Sequence, residues 1–182
     1  MYAGPLRDEP LAIELHNTIY ARDGARRDGL AQAGWLDAVA GRLPAGGHGR
    51  GPTRAELTAL RETVRTALHA ALDGAPHDPD VLAALNAAAA RAPQSPIAVW
   101  HRHADPEAAV DHHGASRADI VLAALAADAI ALLTGPDSER LGGCHAPGCV
   151  LMFLKRHPRR EWCSNACGNR ARQARHYRRA RQ

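Results

Sequence analysis

Four cysteines near the end of the chain have the residue type and spacing that most clearly indicate chemistry. They form two close pairs, Cys144-x4-Cys149 and Cys163-x3-Cys167, separated by thirteen residues. Two thiolates from each pair can surround a tetrahedral zinc ion, and the segment between the pairs lets the chain cross the ion and return. A shell of four thiolates leaves no open position for water. We therefore expect a zinc ion that folds this region rather than a catalytic one.

Other uses of the four cysteines stay open at this point. Disulfide bonds would allow three pairings, but nothing in the chain indicates an oxidising compartment. Neither pair has the C-x-x-C spacing of a redox site, whereas four thiolates could also hold an iron–sulfur cluster. A Cys3His zinc site would use His145 or His157. The favoured cofactor is structural zinc, with the ligands Cys144, Cys149, Cys163 and Cys167.

The residues around the cysteines predict a small fold for this zinc module. Residues 150–153 and residues 161–162 are expected to pair as a hairpin around His157-Pro158. The second pair then lies at the start of the last helix, where Cys163 and Cys167 are four residues apart and face the same side. A turn, a hairpin and a ligand-bearing helix describe a treble-clef-like zinc fold.

Positive charge is concentrated in the same region. Residues 144–182 contain ten Lys and Arg residues against one acid, Glu161, and so carry +9, which leaves −5 on residues 1–143. Arginine suits phosphate because its planar guanidinium donates two hydrogen bonds to one anion. A solvated tail, or cations that complement a helix dipole, is the alternative. The predicted nucleic-acid contacts are Arg159, Arg160, Arg170, Arg172, Arg175, Arg178 and Arg179.

The arginines after Cys167 are expected to share one broad face of the last helix. On a helical wheel they occupy an arc of about 200°. Tyr177 lies on the remaining face and is predicted to pack on the hairpin.

The segment from Cys144 to Arg179 resembles the CGNR zinc finger. It contains the tetrapeptide Cys167-Gly168-Asn169-Arg170 for which that family is named, preceded by Trp162-Cys163-Ser164. The resemblance implies a zinc-bound module in which the four cysteines are the ligands. The family has an acidic residue shortly after the position of Phe153, where this chain has Lys155.

The chain before the cysteines is predicted to be mainly helical. Thr53-x-x-Glu56 forms a capping box, and Ser116-x-x-Asp119 opens the most apolar helix. Prolines and short apolar runs between residues 95 and 114 indicate a β-hairpin. Helices are expected over residues 10–22, around Trp35, and over residues 53–74, 79–91 and 120–133. Gly, Pro and Ser between residues 134 and 143 place the boundary between domains 1–140 and 141–182.

The first domain resembles the ABATE type. Its opening, from Leu11 to Asn17-Thr18, is similar to the Leu-x5-Asn-Thr signature of that domain, and Trp35-Leu36 fits a second segment. CGNR fingers usually follow such a domain. The resemblance implies a mainly α domain with a small hairpin and a role in stress-induced transcription regulation.

Several other residues carry weaker signals. Asn17 could line a ligand pocket with Trp35 or Trp100, or be a buried and satisfied polar residue. Ser116 is better explained as a helix cap than as a nucleophile, and the chain has no Gly-rich phosphate loop, so we expect no enzyme. A second metal site stays open at His101, His103, His112 and His113.

Together these patterns predict a mainly α protein of two parts. An acidic helical domain for sensing or dimerisation precedes a basic, treble-clef-like zinc module that binds DNA. A homodimer and a small-molecule effector stay open, and the alternative is a protein-interaction or RNA-binding zinc module. No signal peptide or membrane span is expected, because a span needs about 20 apolar residues. The predicted protein is therefore a cytoplasmic regulator of bacterial type.

Overall fold

The computed structural model of the protein describes residues 2–102 and 104–179. It is mainly helical with three two-stranded antiparallel sheets, which confirms the predicted fold class. The elements in chain order are α1 (Leu11–His16), β1 (Ile19–Arg22), β2 (Ala25–Asp28), α2 (Trp35–Val39), α3 (Arg54–Asp73), α4 (Pro79–Ala89), β3 (Ser95–Val99), β4 (Glu107–Asp111), α5 (Arg117–Thr134), β5 (Leu141–Gly143), β6 (Met152–Leu154) and α6 (Asn165–Arg179).

The two longest helices begin where the sequence predicts. The Thr53 hydroxyl accepts a hydrogen bond from the backbone of Glu56, whose carboxylate accepts one from the Thr53 backbone at 2.8 Å, so the capping box of α3 is complete. The Ser116 hydroxyl accepts from the backbone of Asp119 at 3.1 Å and caps α5. Gly74, with φ of 63°, ends α3 in the left-handed conformation that glycine adopts at little cost.

The main hydrophobic core lies where α5 packs against α1, α3 and α4. Leu122 and Leu125 of α5 are fully buried there, as are Leu68 of α3 and Leu85 of α4. The predicted hairpin between residues 95 and 114 is present as β3 and β4, with Ser95 opposite Asp111.

The first predicted helix is wrong in its second half. Helix α1 ends at His16, and residues 19–28 form the β1–β2 hairpin instead of continuing the helix. Asp23 and Gly24 at its tip have φ values of 53° and 75°, and positive φ at both central residues is the conformation of a type I′ turn. The Asp-Gly pair therefore reverses the chain between β1 and β2, after α1 has already ended.

The predicted hairpin of the zinc module is also wrong in its pairing. Strand β6 pairs with β5, which precedes Cys144, and not with residues 161–162. The first cysteine pair forms the turn between these strands, closed by hydrogen bonds from Cys144 N to Leu151 O (2.9 Å) and from Cys149 N to Ala146 O (3.0 Å). These bonds hold β5 and β6 together around the first cysteine pair, whereas Glu161 contacts the same turn through its carbonyl, which accepts a hydrogen bond from His145 N (3.3 Å).

The zinc module and the helical region share their cores. Leu141, Met152 and Leu154 of the β5–β6 hairpin belong to the main core between the helices. In return, Tyr20 of β1 packs with Phe153 and the cysteine-bearing segments. None of the helices within the described ranges is long and apolar enough to cross a membrane.

Candidate metal centre and nucleic-acid interface

The four predicted ligands come together in the structure. Their sulfur atoms all lie within 4.8 Å of one another. The Sγ–Sγ distances are 3.8 Å from Cys149 to Cys163, 3.4 Å from Cys163 to Cys167 and 3.9 Å from Cys167 to Cys149. A tetrahedron with zinc–sulfur distances of about 2.3 Å has edges of about 3.8 Å. The spacing therefore fits a zinc ion, whereas a disulfide needs its sulfurs about 2.0 Å apart.

The protonation of the thiols also favours a cation at this centre. Hydrogen bonds from the Cys149 and Cys163 thiols lower the pKa of Cys144. The contacts of Cys163 with Cys144 and Cys149 raise the pKa of Cys163, and the contact with Cys144 raises the pKa of Cys149 to about 11. Neighbouring thiols at these distances resist sharing more than one negative charge. A divalent ion removes that repulsion, so zinc binding and the fold of this region are coupled.

Neighbouring N–H groups donate hydrogen bonds to the sulfurs. The backbone N–H of Cys163 donates to Cys144 Sγ at 3.4 Å, and Nη2 of Arg170 donates to Cys167 Sγ at 3.3 Å. Donors of this kind orient thiolate ligands and reduce their charge.

Each residue of the Cys167–Arg170 tetrapeptide has a separate structural role. Cys167 is a ligand, and Arg170 donates to its sulfur. Gly168 is buried against Trp162, and a Cβ at this position would lie 3.3 Å from Cε3 of that indole. The Asn169 side chain accepts a hydrogen bond from Arg172. The tetrapeptide therefore joins the metal ligands to the start of the arginine-bearing helix.

Six of the seven predicted nucleic-acid contacts are exposed. Helix α6 packs against the rest of the zinc module through its buried residues Cys167, Gly168 and Ala171. The later turns of the helix extend beyond that contact. The ring of Trp162 lies 5.9 Å from the guanidinium carbons of Arg172 and Arg175. The exposed set is Arg159, Arg170, Arg172, Arg175, Arg178 and Arg179.

Tyr177 does not pack on the hairpin as predicted. Its side chain is 70% exposed, because α6 has already left the body of the protein at this turn. The tyrosine is therefore exposed to solvent, like the arginines of α6, and is not packed against the hairpin.

Arg160 is the one predicted contact that the structure places elsewhere. Its Nη2 atom lies 2.9 Å from Oε1 of Glu9, a carboxylate that is only 1% exposed. Nη1 donates to Leu154 O at 2.8 Å, and the guanidinium lies over the Phe153 ring. Arg160 thus joins the zinc module to the N-terminal segment and is not free for phosphate. Sequence reasoning missed Glu9 because its partner is 151 residues away.

The predicted ligand pocket does not form. Asn17 is fully buried, and its amide donates to Met152 O at 3.0 Å and accepts from Met152 N at 2.9 Å, so it satisfies both backbone groups of Met152. Trp35 is buried in the core, whereas Trp100 is 71% exposed and donates to Ala104 O. Asn17 is thus a satisfied core residue, which was the alternative interpretation.

The histidines considered for a second metal site form no such cluster within the described residues. The four cysteines are the only group of three or more potential ligands there. His113 contacts Ser95 and Asp111, and His101 is exposed. His103 lies outside the described residues.

Comparisons with known proteins agree with both resemblances. A family model of the ABATE domain, described as "Putative stress-induced transcription regulator", matches residues 9–136. The model of the CGNR zinc finger matches residues 140–180 and covers all four cysteines. A search of curated proteins finds no significant match. The family assignment and the zinc site are therefore confirmed.

Proposed function

We propose that this chain, which belongs to the ABATE family and carries a CGNR zinc finger, regulates transcription by binding DNA in the cytoplasm. Zinc is structural in this proposal, and the protein is not an enzyme. The exposed arginines of α6 bind phosphate groups, and these contacts supply most of the affinity.

One observation carries the proposal. Helix α6 has five arginines and no acidic residue, and its residues after Ala171 are largely exposed. A helix with this charge gains little from pairs within itself, and its arginines repel one another. A polyanion alongside the helix relieves that repulsion, and the width of a helix suits the major groove of DNA.

Zinc determines whether this helix can act. Cys163 and Cys167 fix the start of α6, while Cys144 and Cys149 fix the β5–β6 hairpin beneath it. Without the ion, helix α6 loses the packing contact that its buried residues Cys167, Gly168 and Ala171 make with the rest of the zinc module. We therefore expect that zinc removal abolishes DNA binding.

The test is the binding of duplex DNA by the zinc-loaded chain over a series of salt concentrations. If five arginines each neutralise one phosphate, log K against log salt has a slope of about −4.5. Competition between random duplexes and genomic fragments then measures sequence specificity, which a regulator requires. An affinity that does not change with salt would contradict the proposal.

A matched pair of variants makes this test specific. Arg175→Glu/Arg179→Glu reverses two charges on α6 and should abolish DNA retention. Arg50→Glu/Arg102→Glu makes the same change at two exposed arginines of the helical domain and should leave binding nearly unchanged. Zinc content and helical signal are measured for both variants, so that unfolding is not mistaken for lost contacts.

The competing function is protein interaction, in which the arginines of α6 meet an acidic partner or the acidic domain of a second copy. Residues 1–143 carry −5, so self-association is electrostatically favourable. Under this alternative the unmodified protein is a homodimer that does not bind DNA. Arg175→Glu/Arg179→Glu should then dissociate the homodimer, as measured by sedimentation.

The exposure of Tyr177 favours RNA as a further candidate. An exposed aromatic ring among arginines can stack on an unpaired base, which adds about 1–3 kcal/mol per base. Tyr177→Ala would then weaken binding to single-stranded RNA by at least about fivefold and leave duplex DNA binding unchanged.

A further inference from the structure

A groove separates the zinc module from the β1–β2 hairpin of the helical domain. Its volume is about 720 Å³. Residues 147–149 and the first turn of α6 form one wall, and the end of β1 with the Asp23-Gly24 turn forms the other. Arg170 lines the groove on the zinc side, whereas Arg22 and Arg7 line it on the N-terminal side.

Three acidic residues close to the N-terminal wall are buried or paired. Glu9 is buried and paired with Arg160. Asp28 is paired with Arg61, whose Nη1 atom lies 2.6 Å from Oδ1 of Asp28. Glu14 is fully buried and accepts hydrogen bonds from backbone N–H groups. These carboxylates therefore add little negative charge to the groove. Asp23 at the turn does line it, and the side chain of Asp8, the residue after Arg7, is 88% exposed, so two carboxylates remain beside the two arginines of this wall.

The two N-terminal arginines are held in suitable positions. Arg22 donates one hydrogen bond from Nη2 to Ala3 O at 3.0 Å, which fixes the guanidinium and leaves most of its five donors for a ligand. Arg7 is exposed and lines a second groove of about 570 Å³ together with Arg172. Arg7 thus lies beside the start of α6 and shares one groove with Arg170 and the other with Arg172.

We infer that the DNA backbone crosses this groove and that Arg7 and Arg22 bind its phosphates together with Arg170. The inference rests on the proposed function and extends the binding surface from the zinc module onto the helical domain. A polyanion fits because arginines on three separate segments face one open channel, and bidentate guanidinium donors match phosphate oxygens. A single finger covers only a small area of DNA, and the second wall enlarges it.

The experiment compares salt dependence in two double variants of the full zinc-loaded chain. Seven phosphate contacts, five on α6 and two on the N-terminal wall, predict a slope of about −6.3 for the unmodified protein. Arg7→Gln/Arg22→Gln removes two of them and should give about −4.5. Arg50→Gln/Arg102→Gln removes the same charge from exposed positions that do not line the groove, and should keep about −6.3.

The outcomes separate this inference from the proposed function. If Arg7→Gln/Arg22→Gln keeps the slope and affinity of the unmodified protein while Arg175→Glu/Arg179→Glu abolishes binding, the groove is overturned and the function stands. If both Gln variants lower the slope equally, the effect is one of net charge, and the groove is again overturned. If the unmodified protein binds no DNA, the proposed function fails and the groove with it. Unchanged zinc content and thermal midpoint confirm that the Gln variants are folded.

Discussion

Removal of zinc should unfold the helical domain as well as the zinc module. Leu141, Met152 and Leu154 flank the first cysteine pair, and their side chains are 5%, 2% and 6% exposed within the main core. Burial of one such side chain contributes about 1.5–3 kcal/mol, so the three together contribute up to about 5–9 kcal/mol. A domain of this size is typically stable by only about 5–15 kcal/mol. The loss of the hairpin therefore removes most of the stability of the whole chain.

Tryptophan fluorescence can report the unfolding of the helical domain separately from that of the zinc module. Trp35 is buried in the helical domain, far along the chain from the cysteines, whereas Trp162 belongs to the zinc module and Trp100 is exposed. The variant Trp100→Phe/Trp162→Phe leaves Trp35 as the only indole. A chelator is titrated under reducing conditions, and a zinc-indicator dye records release of the ion. We expect the Trp35 emission to shift to the red in step with zinc release.

A clear result would refute this reasoning. If zinc leaves completely and the Trp35 emission and thermal midpoint stay unchanged, the helical domain does not depend on the β5–β6 hairpin. Cys144→Ser serves as a control without chelator, because it removes one ligand and should reproduce the spectrum of the chelated protein.

Three further predictions concern single residues. Asn17→Ala leaves the backbone N–H and C=O of Met152 unpaired and should lower the unfolding free energy by about 2–4 kcal/mol, measured by denaturant titration. Burial lowers the pKa of His16 to about 3, so the unfolded chain binds the extra proton, and stability should fall as pH decreases from about 6.5, by up to about 1.4 kcal/mol per pH unit. Unfolding curves of the zinc-loaded protein between pH 7 and 5.5 check this, and His16→Gln should flatten the dependence. Gly168→Val forces the Trp162 indole away and should cost about 1–3 kcal/mol and weaken zinc retention against a chelator, whereas Gly168→Ala should be milder.

Local signals predicted much of this structure. The spacing of the cysteines indicated the metal ligands, because two close pairs can supply the four corners of a tetrahedral site, and the structure brings the four sulfurs together. Thr53 and Ser116 marked the starts of α3 and α5, since a cap bonds to a backbone group only three residues away. The Asp23-Gly24 turn was also a local signal, but the apolar spacing before it is typical of a helix and did not reveal that β1 lies between α1 and the turn.

The contacts that join the two parts could not be found in this way. Asn17 meets Met152 across 135 residues, and Glu9 meets Arg160 across 151. No periodicity or short motif connects positions so far apart. The pairing of β6 was misjudged for a different reason: its partner β5 is close in sequence, but the turn at the first cysteine pair was not expected to join two paired strands.

Charge summed along the chain also differs from charge at the surface. The sequence divides into an acidic part and a basic part, yet a buried carboxylate such as Glu9 adds no negative potential where a ligand would approach, and Arg160 adds no positive one. The arginines that stay exposed near the groove come from both parts, Arg7 and Arg22 from one and Arg170 from the other. Because Glu9–Arg160 and Asn17–Met152 hold these parts together, we expect zinc binding to fix the N-terminal wall of the groove as well as the start of α6. Loss of zinc is thus expected to disturb the basic surface on both sides of the groove.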